Sequence, residues 1–302
     1  MNAVVLHTYG GPEELKYEEV ADPVAGEGQV LVRVAATSVN PIDYKLRSGI
    51  YKEFMPLTFP AILGNDFSGI VRSVGAGVSG FAAGDKVMGL ADAANAELVV
   101  AKVDSMTHLP DGLDLVKAAA LPVVTLTGEQ LITKGTKIQA GQTVLVSGAV
   151  GSVGRAAVWA AKEAGAVVIA GVRKSQVTEA AAVGADQVLA LDDAGAMEQM
   201  GLIDAVADTV GGKTAEMLLG KVKPGGVFAS VVGAPGNAAL HPTVKVESVV
   251  MQADGVRIRA LGEAVAAKRL VIPIDRMVPL AEAGKAQTAA AKGGIGKVIL
   301  LA

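Results

Sequence analysis

The 302-residue sequence contains no cysteine, three histidines and only 3% aromatic residues. Without cysteine there are neither disulfides nor thiolate metal ligands. His7, His108 and His241 stand far apart, which leaves a zinc centre little to build on, so no metal is expected. No run of eighteen apolar residues occurs and no basic-then-apolar leader opens the chain, so neither a membrane helix nor an export signal is expected, and the location read from this is cytoplasmic. A formal net charge of -3 supplies no evident cationic face for the phosphates of a nucleic acid.

What the chain does have is 51% apolar residues and 37 glycines, the mixture of small and aliphatic residues found in compact α/β enzymes. Its length suits two domains, each with its own core. The most informative stretch runs from Thr143 to Lys174, TVLVSGAVGSVGRAAVWAAKEAGAVVIAGVRK. An apolar strand enters the glycine-rich turn Gly148 to Gly154, an alanine-rich helix follows to about Ala164, and Val167 to Ala170 form a second strand. This βαβ pattern with glycines in the turn suits a dinucleotide pyrophosphate, because a side chain would hold the backbone away from it and the helix's leading amides favour its charge. Candidate contacts are Ala149, Val150, Gly151, Ser152, Val153 and Gly154. Ala149 replaces the usual first glycine, and Gly148 beside it can supply the flexibility. At the end of the second strand, where an acidic residue would bind the ribose 2′-hydroxyl of NAD, stand Arg173, Lys174 and Ser175. Two cations and a hydroxyl suit a 2′-phosphate and point to NADPH; the alternative is a solvated basic turn.

The first 118 residues carry short strands near Ala3–Leu6, Gln29–Ala36, Gly69–Val74, Lys86–Leu90 and Ala96–Val100, separated by glycine, proline and aspartate turns, which predicts a β-rich barrel. Helical texture begins near Leu115. After the βαβ unit, strands at Gln187–Leu191, Ala205–Thr209, Gly226–Val232 and Val246–Gln252 alternate with helical stretches, predicting a doubly wound parallel sheet. Val231, Val232 and Gly233 end one strand at the carboxyl edge, where ligands bind such sheets. Leu261–Lys268 reads as the closing helix of this sheet, and Lys297–Leu301 as a strand free to return to the first domain. Val246–Met251, apolar and at the sheet edge, predicts a homodimer by edge pairing.

Several motifs in order resemble the zinc-independent quinone oxidoreductases of the medium-chain dehydrogenase/reductase, alcohol dehydrogenase-like superfamily. They are Val39-Asn40-Pro41-Ile42-Asp43 with Arg47-Ser48-Gly49, the Gly75–Asp85 stretch, Leu121-Pro122 with Leu126-Thr127, the glycine turn, Val183-Gly184-Ala185-Asp186, Asp204–Gly212 and Lys223-Pro224-Gly225-Gly226. The resemblance implies a GroES-like catalytic domain of residues 1–118 and 269–302 around a Rossmann domain of residues 119–268, with substrate and nicotinamide meeting in the cleft between them. It implies an NADPH-dependent transfer of hydride to a small molecule, a quinone, enone or enal. Zinc-dependent relatives place Cys near Asn40 and His-Glu after Gly64, where this chain has Asn65-Asp66. NADP-binding relatives often carry a tyrosine where Leu191 stands, which leaves Arg173, Lys174 and Ser175 to hold a 2′-phosphate and leaves the choice between NADPH and NADH open.

Within the resembling loop, Asn40 and Tyr51 are the candidate catalytic residues. Asn40 would orient substrate or nicotinamide, and Tyr51 would protonate the substrate after hydride addition. A packed barrel aromatic is the other reading of Tyr51, and Tyr44 and Lys45 are alternatives for its role; Asp43 is expected to order the loop. Thr127 would face the nicotinamide, or else bond a helix carbonyl. Two other functions stay open: an enoyl-thioester reductase, and a non-catalytic NADPH-binding sensor or structural protein.

Overall fold

The computed structural model describes residues 1–302 and divides into two compact units, Met1–Val123 with Ala253–Lys268 and Ile272–Ala302, and Val124–Gln252 with Arg269–Val271.

The first unit is built on the ten-residue strand Gln29–Ser38, whose valines Val30, Val32 and Val34 point alternately into a core with Phe67, Val71, Val87, Val99 and Met106. Asp66–Val74 pairs along one side of it, followed by Lys86–Leu90 and Met106–His108. Leu98–Lys102 also pairs with the long strand. The C-terminal strand Lys297–Leu301 returns to this sheet, antiparallel to the end of Gln29–Ser38, with Ile299 opposite Ser38. A smaller sheet joins Leu15–Glu19, Asn2–Leu6 and Ala61–Ile62. The α/β chain thus opens in a sheet-rich unit.

The second unit is a six-stranded sheet in the order Gln187–Ala190, Val167–Val172, Thr143–Ser147, Ile203–Asp208, Val222–Ser230, Lys245–Ser248, parallel throughout. Its central strands are continuous runs of small and β-branched residues because both faces are covered by helices. Strand order reverses between Thr143–Ser147 and Ile203–Asp208, which opens the crevice that doubly wound sheets use for ligands. The edge strand is shorter than the expected 246–252: it is Lys245–Ser248, and Val250 beyond it is 82% exposed.

One helix departs from the sequence expectation. Residues 255–266 form a helix that belongs with the first unit, so the second unit's long run ends at Gln252 and only Arg269–Val271 returns to it. Glycines decide this. A Cβ on Gly255 would lie 2.3 Å from the Met106 carbonyl oxygen, and one on Gly262 would lie 2.5 Å from Met88 Cε, so the helix sits directly on the Lys86–Leu90 and Met106–His108 strands. An apolar helical period does not record which sheet it covers.

Candidate active site

The glycine turn is held in the second unit by covalent geometry and close packing. Gly148 adopts φ +65° and accepts a hydrogen bond from Gly151 N at 2.9 Å. The left-handed residue is thus the glycine beside Ala149, while Ala149 itself is fully buried. Gly154 has no room for a side chain, since a Cβ would meet the Gly148 carbonyl at 2.2 Å. The helix Ser152–Glu163 begins immediately, with Gly151 as N-cap and no side chain accepting from its first amides. Those leading N–H groups lack an acceptor one turn back, so they and the positive end of the helix dipole suit a diphosphate.

Asp208, buried completely, fastens the carboxyl ends of three neighbouring strands around this turn. Its Oδ1 accepts from Ser147 Oγ at 2.7 Å and from the amides of Val210 and Gly211 at 3.1 Å each, and Oδ2 accepts from Ser230 Oγ at 2.8 Å. Thr209 completes the tie, its amide donating to Ser147 Oγ and its hydroxyl to Ser147 O. Val231 N bonds Asp208 O and Val232 N bonds Ser230 Oγ, so Val231, Val232 and the positive-φ Gly233 stand at the same strand ends as the turn. The helix Pro122–Gln130 packs beside them: a Cβ on Gly128 would come within 2.4 Å of Val153 O, which places half-buried Thr127 next to that contact.

The residues fit a bound dinucleotide at this end of the sheet. Arg173, Lys174 and Ser175 are exposed at the close of Val167–Val172. Their turn is not wholly basic, because Lys174 N donates to Asp192 Oδ1 at 2.7 Å and Lys174 Nζ lies 3.5 Å from Asp193. Leu191 fills core space beside Gly171.

In the first unit the resembling loop is built around a buried polar network. Asn40 is 1% exposed, and its amide has its partners within the protein: Nδ2 donates to Asp66 Oδ2 at 2.7 Å and Oδ1 accepts from Lys297 Nζ at 2.6 Å. Lys297 also donates to Val39 O at 2.8 Å, and Asp66 accepts further bonds from Ser38 Oγ at 2.5 Å and Val123 N at 2.7 Å. Asn40 is thus the residue through which the strand Lys297–Leu301 grips the start of the loop. Asp66 and Lys297 were not legible as partners in the sequence, being separated by most of the chain.

Asn40 N donates to Asp43 Oδ2 at 2.7 Å, and Pro41 starts the helix Pro41–Arg47. Burial raises the Asp43 carboxyl to about 7, with the Asn40 amide and Lys297 opposing the rise. Arg47 reaches back to Gly10 O and Gln287, while Tyr9 holds the far side of the loop: its hydroxyl accepts from Leu57 N at 2.7 Å and its ring meets Phe59 edge-on at 4.8 Å. Between these anchors lie Tyr51 and the exposed Ile50 and Phe54. Lys45 Nζ donates to Tyr51 Oη at 3.3 Å and stands 5.5 Å from its ring centre. Tyr51 is therefore a half-buried hydroxyl beside a cation. Tyr44 packs against the Val39 and Leu280 cluster, and burial followed by the Asp43 charge raises its phenol, which suits it less to giving up a proton.

With this geometry in place, the chain can be set beside the known proteins it is similar to. The family description "Alcohol dehydrogenase GroES-like domain" matches residues 26–111, and "Zinc-binding dehydrogenase" matches residues 183–300. A chloroplast envelope quinone oxidoreductase homolog of Arabidopsis thaliana is 36% identical over 199 residues, a stretch covering 63% of this chain and 60% of that protein. The quinone oxidoreductase from Coxiella burnetii superposes with a TM-score of 0.90 at 29% identity, covering 100% of this chain and 99% of the other. A mycobacterial protein solved in complex with NADPH superposes with a TM-score of 0.86 at 27% identity over the whole of both chains. A sheet-rich GroES-like unit joined to a parallel-sheet unit with a glycine turn at its switch point defines a two-domain oxidoreductase class. The chain carries the GroES-like and dehydrogenase domains of the alcohol dehydrogenase family descriptions and is similar in sequence and fold to quinone oxidoreductases.

The zinc of the second family description does not fit the residues present. There is no cysteine, and no three His, Asp or Glu side chains converge. His7 pairs with Glu18 and His108 with Asp85, and Asp66 carries the Asn40 network.

The raised Asp43 acid has a readable consequence. Its ordinary value is 3.8, so the folded state holds a proton that the unfolded chain has lost. The stability this gives is complete below about pH 4 and disappears as pH rises through about 7. Asp43→Asn keeps an oxygen for the Asn40 amide and removes the titration. The unfolding free energy from urea titration should therefore fall less between pH 5 and pH 8 in Asp43→Asn than in the parent, by up to about 3 kcal/mol. Identical pH slopes would show that Asp43 is already ionised in the folded chain.

Proposed function

We propose that this protein is an NADPH-dependent oxidoreductase acting on a quinone or an activated alkene, an enone or enal. The observation that carries the reading is the Gly148–Gly154 turn at the reversal of strand order, pinned by Asp208. Amides of Ser152, Val153 and Gly154 would hold the pyrophosphate, Arg173, Lys174 and Ser175 the 2′-phosphate, and Thr127 with Val231, Val232 and Gly233 the nicotinamide side.

When bound, the coenzyme supplies the hydride. The protein's part is to orient the acceptor and meet the charge that develops on it. The Tyr51 hydroxyl is the group offered for that purpose, hydrogen-bonding the acceptor oxygen or, once hydride has added at the β carbon of an enone, giving a proton to its α carbon. Lys45 Nζ donates to that hydroxyl at 3.3 Å and so orients it. Asn40 contributes by fixing the loop through Asp66 and Lys297. Exposed Ile50 and Phe54 flank Tyr51 and match an apolar, conjugated acceptor better than a charged one.

Coenzyme oxidation measured with benzoquinones, enones, enals and enoyl thioesters should be faster with NADPH than with NADH and should favour the first three acceptors. Tyr51→Phe should lower kcat for enone reduction by about 10²-fold or more. Full enone activity in Tyr51→Phe removes Tyr51 from the mechanism. Tight NADPH binding with no acceptor consumed points to a binding protein without turnover.

We also infer a two-fold homodimer. The Lys245–Ser248 strand pairs on one side only, with Val222–Ser230, and its outer backbone groups are free to pair with an equivalent strand. Light scattering on the eluting chain should give twice the 30.4 kDa monomer mass at micromolar concentration. A monomer would contradict edge pairing.

A further inference from the structure

The helix Ser152–Glu163 reads SVGRAAVWAAKE, and its small residues pack it against the sheet. One residue breaks the pattern. Arg155 is 6% exposed in the midst of Ala156, Ala157 and Val158, all fully buried. Burying a guanidinium is costly unless its donors are satisfied, so the partners of such a residue indicate what it is for. Arg155 Nε donates to the Val150 carbonyl at 2.9 Å, inside the glycine turn. Its Nη2 is ion-paired with Glu179 Oε1, on the short helix Val177–Ala180 that follows Arg173, Lys174 and Ser175 after Gln176. One guanidinium therefore connects the turn offered to the pyrophosphate with the segment offered to the ribose phosphate.

The basic turn has other restraints. Lys174 N is held by Asp192, and Gln176 Oε1 accepts from both Arg173 N and Arg173 Nε at 3.3 Å. Arg155 and Glu179 supply the connection back to the glycine turn. The guanidinium itself is enclosed and its two contacts point to protein atoms, so it does not need to touch a ligand to matter.

We propose that the Arg155–Glu179 pair positions the Arg173–Ser175 turn relative to the glycine turn, and so sets the preference for the 2′-phosphorylated coenzyme. This rests on the NADPH reading given above. A side chain with only a packing role would affect both coenzymes alike, because the pyrophosphate is common to them. A positioning role affects the one that reaches the basic turn.

The test is direct calorimetric titration of NADPH and NADH, without acceptor, into the full chain and into Glu179→Gln, with melting temperatures measured alongside. Glu179 is partly exposed and Gln keeps a hydrogen-bond acceptor, so the fold should persist. The expected result is an NADPH Kd weakened by roughly tenfold with an NADH Kd changed by less than about twofold. If Glu179→Gln melts early, Glu179→Asp retains the charge on a shorter stem and should show the same split in smaller measure. Equal weakening of both coenzymes, or unchanged NADPH binding, overturns the positioning role while leaving the NADPH reading intact. A parent chain that binds neither coenzyme, or NADH alone, overturns both.

Discussion

One buried carboxylate organises the part of this molecule that matters for function. Asp208 ends the strand next to the reversal of strand order and takes hydrogen bonds from Ser147 on one neighbouring strand and Ser230 on the other, as well as from the backbone that leaves its own strand. A fully buried carboxylate without such donors would be strongly unfavourable. With them, it fixes three strand ends and the loops leaving them. The glycine turn starts one residue after Ser147, so its position relative to the Val231–Gly233 segment is inherited from Asp208.

The first unit uses the same device for another purpose. Asp66, also fully buried, accepts from Ser38, Asn40 and Val123 and faces Lys297 at 3.7 Å. Here the network ties a loop to a strand from the far end of the chain. Since removing one member of a buried charge pair leaves the other uncompensated, the loop's geometry depends on Asp66, Lys297 and Asn40 together. Loop residues Ile50 and Phe54 stay exposed on this rigid base, and Tyr51 between them meets Lys45.

Much of this was legible from residue order alone, because local chemistry announced it. The strand, turn and helix around Gly148–Gly154, the parallel sheet and the early β-rich strands all follow from short-range patterns of glycine and β-branched residues. Gly148 was readable as the flexible position because Ala149 is a poor occupant of a left-handed turn. What escaped depends on contacts distant in sequence. Lys297 reads as the first residue of an apolar strand, and nothing nearby indicates that its ammonium is buried against Asn40. Arg155 looks like a solvent-facing cation in an alanine-rich helix until its partners at Val150 and Glu179 are seen. The Gly255–Ala266 helix has the same apolar period whichever sheet it covers, and the close approach permitted by Gly255 and Gly262 settles the matter.

The central claim is that the amides opening the Ser152–Glu163 helix receive the diphosphate of a nicotinamide coenzyme. Amide hydrogen exchange with and without NADPH tests it most directly, since bound phosphate oxygens would protect those N–H groups. The account predicts slowed exchange across Gly151–Gly154, with smaller protection in the Arg173–Gln176 segment. Coenzyme binding that leaves exchange at Gly151–Gly154 unchanged would contradict it.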